Sequence, residues 1–177
     1  MLRLSEHNEG MLRIQITKRA DGVGVLRCVR ADGSVTWQRQ DRHAAHFALH
    51  DMTHFAVEST LGARRAFFGL IAEGWEIEDT TGKGARGPLP AEALEVERIV
   101  GLLDAERASG AVTSAEDFNN FRATEGGSTP RRLTEAELEA IRARRAELFS
   151  QWSALPAGGT LELAFRNGAR QILKGLD

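Results

Sequence analysis

Two Asp-Gly pairs near the start of the chain constrain its fold most strongly. Asp21-Gly22 and Asp32-Gly33 separate three short apolar runs, MLRIQITKR, VGVLRCVR and VTWQRQ. Glycine tolerates the positive φ angle of tight hairpin turns, so each pair favours a turn between antiparallel strands. The sequence therefore predicts an antiparallel meander of three strands over residues 11–40.

The third run of this meander alternates apolar and polar residues. Val35 and Trp37 alternate with Thr36 and Gln38. Alternation with a period of two is typical of a strand that buries its apolar side. We therefore expect Val35 and Trp37 to point into the core.

The periodicity changes after residue 40 and indicates a helical block over residues 42–154. Asp41 is a candidate N-cap, and the run that follows it contains no Gly or Pro before Gly62, which is expected to end the helix. A shorter helix is expected in ARRAFFGLIAEGW, and the following EDTTGKGARGPLP is expected to be a loop.

Three further sequence signals mark the beginnings of later helices. Pro90 suits the first position of a helix that runs to about residue 108. Thr113 with Glu116, and Thr134 with Glu137, have the spacing of a capping box. The block from 42 to 154 should thus contain about four to five helices.

The C-terminal segment returns to a strand pattern. TLELAFR and ARQILK flank Asn167-Gly168, which predicts a β-hairpin over residues 160–174. Together with the meander, this hairpin should form one antiparallel sheet covered by helices on one face. The fold class expected for the chain is α+β, in a single domain of residues 1–177.

Charge and cysteine content exclude several classes of protein. The net charge of -2 and the sequence pI of about 6.2 give no general attraction to nucleic acid or to an anionic membrane. Cys28 is the only cysteine, lies in a strand-like run and is expected to be buried. Without a recognisable signal peptide or membrane span, the expectation is a soluble cytoplasmic protein with no nucleic-acid or membrane partner.

Four of the five histidines lie within twelve consecutive residues: His43, His46, His50 and His54. Successive residues of an α-helix are about 100° apart, so these imidazoles and Glu58 fall within about one third of the helix circumference. Residues on the opposite side are mostly apolar. The helix should therefore pack an apolar side on the sheet and present a histidine-rich side elsewhere.

Imidazoles four residues apart on a helix can bind the same divalent ion. His50 and His54 have this spacing, and so do His46 and His50. Neutral imidazole suits transition metals, and zinc is the first expectation. His50 and His54 are the predicted metal ligands, with a carboxylate from Asp51, Glu58 or Glu73, and His46 or His43 as substitute ligands. If a coordination position is open, Asp51 is the candidate catalytic base for hydrolysis by metal-bound water.

The stretch from residue 50 to residue 73 resembles the metal signature of gluzincin metallopeptidases, in which H-E-x-x-H precedes a glutamate ligand on a later helix. The chain has HDMTH followed by Glu73. The resemblance implies that His50, His54 and Glu73 are ligands and that Asp51 occupies the position of the general base. Asp51 is one methylene shorter than the family's glutamate.

A broader resemblance covers VRADGSVTWQRQ, HDMTHFAVESTLG and the stretch from FFGLIAEGW to ALEVE. These segments are similar to a family of small bacterial hypothetical proteins that have an H-D-x-x-H-x-x-x-E helix. The resemblance implies that His50, Asp51, His54 and Glu58 act as a unit, and it implies no particular reaction.

Other enzyme signatures are absent from the sequence. GKGARG departs from the P-loop pattern because Gly84 follows Lys83 where that pattern has Ser or Thr. The His50-Asp51 pair is similar to that of HD-type phosphohydrolases, but the other ligands of those enzymes lie on separate helices. Here His43 and His46 lie on the same predicted helix as the pair, so the arrangement does not fit that family. No G-x-S-x-G motif supports a serine hydrolase.

The alternative to metal binding is a non-enzymatic module that binds itself or a partner. The helix that begins near Pro90 has more than one apolar face: Leu94, Val96, Ile99, Val100, Leu102 and Leu103. Such width favours burial on two sides, including a homodimer contact. The histidine face would then be structural or exposed to solvent.

Overall fold

The computed structural model describes residues 10–21, 23–40, 44–124 and 131–166. These residues form four strands, five α-helices and one 3-10 helix, which is an α+β fold. In chain order the elements are β1 (Met11–Lys18), β2 (Gly24–Val29), β3 (Val35–Gln40), α1 (Ala44–Leu61), α2 (Phe67–Ala72), the 3-10 helix (Ile77–Thr81), α3 (Ala91–Ser109), α4 (Ala115–Thr124), α5 (Glu135–Ala154) and β4 (Thr160–Arg166).

The four strands form one antiparallel sheet in the order β3-β2-β1-β4. Ile14 of β1 lies opposite Cys28 of β2 on one side and Leu163 of β4 on the other. This arrangement confirms the three-strand meander and the pairing of the C-terminal strand with it. The predicted turn at Asn167-Gly168 and the strand after it lie outside the described residues.

The helices cover one face of the sheet and share a continuous core with it. Alternate residues of β1, β2 and β4 are fully or almost fully buried on that face, among them Leu12, Ile14 and Ile16. Phe55 of α1 lies against Phe68 and Phe165, with ring centroids 6.3 Å apart in both pairs. Truncating Phe55 to alanine in such a core costs about 3–5 kcal/mol.

Cys28 lies in this core, as the sequence predicts. Its side chain is fully buried, and burial raises the pKa of the thiol to about 12. A thiol in this setting is a small core residue and not a nucleophile.

Strand β3 reverses the burial expected from its sequence. Trp37 is 63% exposed and Val35 is also exposed, whereas Thr36 and Gln40 are buried. The prediction that Val35 and Trp37 face the core is therefore wrong. The polar side of β3 points inward because the 3-10 helix covers it, and Thr36 Oγ1 accepts a hydrogen bond from the N–H of Ile77 at 3.2 Å.

Helix boundaries follow the sequence signals with two corrections. Gly62, with φ of 69°, follows α1, and Thr134 and Glu137 form the capping box of α5. At α4 the cap is Ser114 and not Thr113, because Ser114 Oγ accepts the N–H of Asp117. Pro90 is the N-cap of α3, one residue before the position predicted for it.

Burial within the chain accounts for most of the apolar width of α3. Val96, Ile99, Val100 and Leu103 are buried in the core, whereas Leu94 is 46% exposed. The width of α3 therefore requires no second chain, and the homodimer stays a prediction. Among the described helices, none has both the length and the apolar character needed to cross a bilayer.

Candidate metal site

The histidine side of α1 faces α3, and two groups of potential metal ligands form between the helices. The inner group consists of His50, His54 and Glu97, and the outer group consists of His46, His50 and Asp104. Each residue offers one ligand atom, and within each group these atoms lie within 4.8 Å of one another. The predicted pair His50 and His54 is thus brought together with a carboxylate.

His54 is the most enclosed member of the inner group. Its side chain is 2% exposed, and the ring of Phe67 covers it at a centroid distance of 5.1 Å. Nδ1 lies 3.3 Å from Glu58 Oε1, and Nε2 lies 3.3 Å from Glu97 Oε1. Tetrahedral coordination with bonds of about 2.1 Å separates two ligand atoms by about 3.4 Å, so Nε2 and Glu97 already have suitable spacing.

The two carboxylates determine the protonation of His54. Burial disfavours the imidazolium, but hydrogen bonds to Glu58 and Glu97 and the charges of both carboxylates outweigh burial and raise the pKa of His54 to about 10. Burial also disfavours the charged form of Glu97, yet the hydrogen bond and charge of His54 lower the pKa of Glu97.

Glu58 is fully buried, and its carboxylate contacts Nδ1 of His54. Its carboxylate accepts the N–H of Phe68 at 3.0 Å and that of Gly69 at 3.1 Å, in the first turn of α2. These donors are unsatisfied within α2, so Glu58 caps that helix from another element. A Cβ at Gly69 would lie 2.0 Å from the carbonyl oxygen of Arg64, so the close backbone approach requires glycine.

Asp104 orients the ring of His50 as Glu58 orients the ring of His54. Its Nδ1 lies 2.9 Å from Asp104 Oδ2, and the side chain is 29% exposed. Burial disfavours ionised Asp104, but its hydrogen bond to His50 and the nearby positive charges lower its pKa. With Nδ1 bound to a carboxylate, Nε2 is the nitrogen that His50 offers to an ion.

The outer group differs because a guanidinium lies against it. Arg107 Nη2 is 3.3 Å from His46 Nδ1, and Arg107 Nε is 3.5 Å from Asp104 Oδ1. His46 itself is exposed. A fixed positive charge at this position opposes the binding of a cation by the outer group.

A cavity of about 230 Å³ opens beside the inner group. Asp51 lines it together with His50, His54 and Glu97. Asp51 is 5% exposed, and burial raises its pKa to about 6 despite a hydrogen bond that Gln40 Nε2 donates to Oδ2 at 2.7 Å. The candidate base thus shares a cavity with the candidate ligands.

Other predicted ligands lie elsewhere. Glu73 follows α2, is exposed and pairs with Arg65 at 3.5 Å, so the structure does not bring it to His50 and His54. Glu58 belongs to neither ligand group and instead contacts the back of His54. His43 lies outside the described residues.

Glu97 and Asp104 are the site residues that the sequence reading missed. Both lie on α3, and their separation of seven residues places them on the same face of that helix. Two carboxylates at this spacing opposite a histidine-rich helix were the available signal. Three other acidic residues on α3 make this signal unspecific: Glu92, Glu95 and Glu106.

Comparisons with protein-family models, with curated proteins and with solved structures found no significant match. The two resemblances noted in the sequence therefore stay predictions. The candidate site is defined by its own geometry: two imidazoles and a carboxylate, each imidazole held by a second carboxylate, beside a cavity.

Proposed function

We propose that the protein binds one divalent transition metal ion, zinc in the first instance, through His50, His54 and Glu97. Two imidazoles and one carboxylate are a donor set that catalytic zinc sites use, with the fourth position left to water or substrate. The observation that supports this proposal most strongly is the pairing of both histidines with carboxylates at Nδ1. In metal sites such carboxylates fix the ring orientation and make the imidazole a better ligand.

The inner group is the proposed site because its surroundings suit a cation. Glu97, whose pKa is lowered by His54, places negative charge beside Nε2 of His54, whereas Arg107 places positive charge beside the outer group. Asp104 then orients His50 and does not bind the ion. One ion per chain is the expected stoichiometry.

Metal-dependent hydrolysis is the reaction that this arrangement supports best. A bound ion lowers the pKa of its water and supplies a nucleophile at neutral pH. The cavity beside the inner group gives a substrate access to that water, and Asp51 lines the cavity as the candidate general base. A general base contributes about 10²–10⁴-fold to the rate of such a step.

A structural role for the histidine face is the second candidate function. Both nitrogens of His54 lie 3.3 Å from a carboxylate oxygen. Protonated His54 would then link α1 to α3 in a buried ion-pair network, as the non-enzymatic alternative requires.

Elemental analysis of untagged protein, purified without metal-affinity steps, separates these candidates. The proposal predicts about one zinc per chain after equilibration with zinc and gel filtration, and loss of that zinc in His50→Ala. Glu73→Gln is the matched control, because the gluzincin resemblance makes Glu73 a ligand and the structure pairs it with Arg65. Wild-type protein without bound metal would favour the structural network.

The hydrolytic step is tested separately with the zinc-loaded protein. Asp51→Asn should retain zinc and lose at least about 100-fold in the zinc-dependent hydrolysis of p-nitrophenyl acetate. Full activity in this variant would remove Asp51 from the proposed role. Equal rates with and without zinc in the wild type would remove the hydrolytic function and leave metal binding.

A further inference from the structure

The cavity beside the inner group is formed by side chains from several elements. Gln38 and Gln40 come from β3, Phe47 from α1, Phe67 from α2, and Thr80 from the 3-10 helix. Its volume of about 230 Å³ is below the usual range of about 300–1,000 Å³ for sites of drug-sized ligands. A ligand of this cavity is therefore small.

The 3-10 helix forms one wall of the cavity, and the segment before it is anchored to the sheet. Arg30 is 8% exposed and donates to the carbonyl oxygens of Ile71 and Trp75 at 2.7 and 2.5 Å. These contacts fix the segment between α2 and the 3-10 helix against the sheet. The cavity is thus bounded by packed elements on several sides.

Two hydroxyl groups that line the cavity already donate to backbone carbonyls. Thr80 Oγ1 donates to the carbonyl oxygen of Ile77, and Thr81 Oγ1 donates to that of Glu78. Both hydroxyl protons are therefore used within the 3-10 helix, although Thr80 and Thr81 line the cavity. These two hydroxyls can therefore only accept a hydrogen bond from a ligand, and so they favour a ligand that brings its own donor.

Gln40 lines the cavity and carries an acceptor that has no partner among the described residues. The residue is 5% exposed, and Nε2 donates to Asp51 Oδ2 at 2.7 Å, which fixes the orientation of the amide. Its Oε1 is buried and has no hydrogen-bond partner among the residues that the structure describes. A buried acceptor without a partner is costly, and a ligand that supplies the donor recovers that cost.

We infer that the cavity binds a small amide-like molecule whose oxygen reaches the metal ion and whose neighbouring N–H donates to Gln40 Oε1. The inference rests on the proposed metal site and adds the substrate class to it. The rings of Phe47 and Phe67 provide apolar surface for the remainder of the molecule. Gln40 is a specificity-determining residue in this arrangement, since it selects an N–H next to the metal-binding oxygen.

Two hydroxamates test this inference on cobalt-loaded protein. Acetohydroxamate and N-methylacetohydroxamate both chelate a metal through two oxygens, but only the first has an N–H. Cobalt absorption reports metal loading and probe binding in the same titration. We expect wild-type protein to bind acetohydroxamate about tenfold more tightly, because only this probe can donate an N–H hydrogen bond to Gln40 Oε1.

Two variants assign that preference to Gln40. Gln40→Met should bind cobalt and show nearly equal affinity for the two probes, because it keeps the length of the side chain and removes the acceptor. Gln151→Met is the matched control, since Gln151 is exposed on α5 and does not line the cavity. It should retain the tenfold preference.

Each other outcome has a definite meaning. Failure of wild-type protein to bind cobalt overturns the metal site and this inference with it. Bound cobalt with equal affinity for both probes in the wild type overturns the role of Gln40 alone, and needs no variant. A preference of the same size in Gln40→Met assigns the N–H to another acceptor and also overturns the inference.

Discussion

The two ends of the histidine cluster have the same sequence spacing and different surroundings. At the inner end, His54 is buried between Glu58 and Glu97. At the outer end, His46 is exposed beside Arg107. Helical periodicity determines the direction in which the imidazoles point, but the charges on α3 determine which of them can hold a cation.

Helix α3 uses its carboxylates differently along its length. Glu97 faces His54 in the inner half, whereas Glu106 binds Arg142 near the outer end. The Arg142 guanidinium also donates to the carbonyl oxygen of Thr113 at 2.6 Å. Glu97 and Asp104 thus belong to the candidate site, whereas Glu106 joins the outer end of α3 to α5.

The largest expected difference between the two ends concerns zinc affinity. His54→Ala should weaken zinc binding by more than about 100-fold, because losing a ligand exceeds the ~10–100-fold cost of losing a residue that orients one. His46→Ala should change the affinity by less than about threefold, because His46 is neither a proposed ligand nor a residue that orients one. Isothermal titration with a competing chelator measures both. Equal losses in the two variants would break the distinction between inner and outer ends.

Changing either carboxylate that orients an imidazole should have an intermediate effect on zinc affinity. Glu58→Gln and Asp104→Asn should each weaken zinc binding by about 10–100-fold, since each replaces the carboxylate at Nδ1 of an imidazole with a neutral amide, which is a weaker acceptor. Urea unfolding of the metal-free variants separates them. Glu58→Gln should lose about 1–3 kcal/mol of unfolding free energy, because Glu58 also caps α2.

Asp104→Asn should lose less stability than Glu58→Gln, since Asp104 is 13% exposed and Glu58 is fully buried. A similar loss of stability in the two variants, with zinc affinity unchanged in both, would contradict the orienting role. It would instead indicate that both carboxylates serve the fold alone.

The outer end of α3 should affect stability and leave zinc binding almost unchanged. Glu106→Gln should reduce the unfolding free energy by about 1–3 kcal/mol at pH 7, because it removes a charged partner of Arg142. Burial disfavours ionised Glu106, but Arg142 and the N–H of Thr113 lower its pKa below the ordinary 4.5. The stabilisation is therefore full above pH 4.5 and is lost as the pH falls through the lowered pKa.

Urea unfolding at several pH values measures this dependence. The difference between wild type and Glu106→Gln should shrink below pH 4.5. A constant difference down to pH 3 would contradict the assigned ion pair. A tenfold loss of zinc affinity in Glu106→Gln would show that the outer end of α3 is not separate from the site.

The sequence predicts the local elements of this fold well. Asp32-Gly33, Gly62 and the capping box of α5 act over a few residues, so their signals survive folding unchanged. The prediction of Thr113 as the cap of α4 is wrong because the adjacent hydroxyl of Ser114 takes that position, and only backbone geometry decides between two neighbouring hydroxyls.

The inward face of β3 illustrates what the sequence could not give. Alternation identifies two faces of a strand, and hydrophobicity then points to the face with Val35 and Trp37. That rule fails here because Thr36 and Gln40 find partners at Ile77 and Asp51, contacts that depend on tertiary packing. A polar inner face beside a histidine helix is consistent with a binding cavity.

The residues of the candidate site also divide into those that local sequence signals predict and those that only tertiary packing brings to the site. His50, His54 and Asp51 were identified from local spacing on one helix. Glu97 and Asp104 reach the site only because α3 packs against α1, and their spacing of seven residues is too unspecific a signal to select them from the acidic residues of the chain. Glu73 matched a sequence signature at the correct distance along the chain, but its side chain lies at Arg65.

Anomalous diffraction at the zinc edge from crystals of the zinc-equilibrated protein tests the central claim most directly. The account predicts one strong peak per chain, about 2.1 Å from Nε2 of His50, Nε2 of His54 and a carboxylate oxygen of Glu97. Such a peak would place the ion where α1 and α3 meet. A peak among His46, His50 and Asp104, or no peak between α1 and α3, would contradict the account.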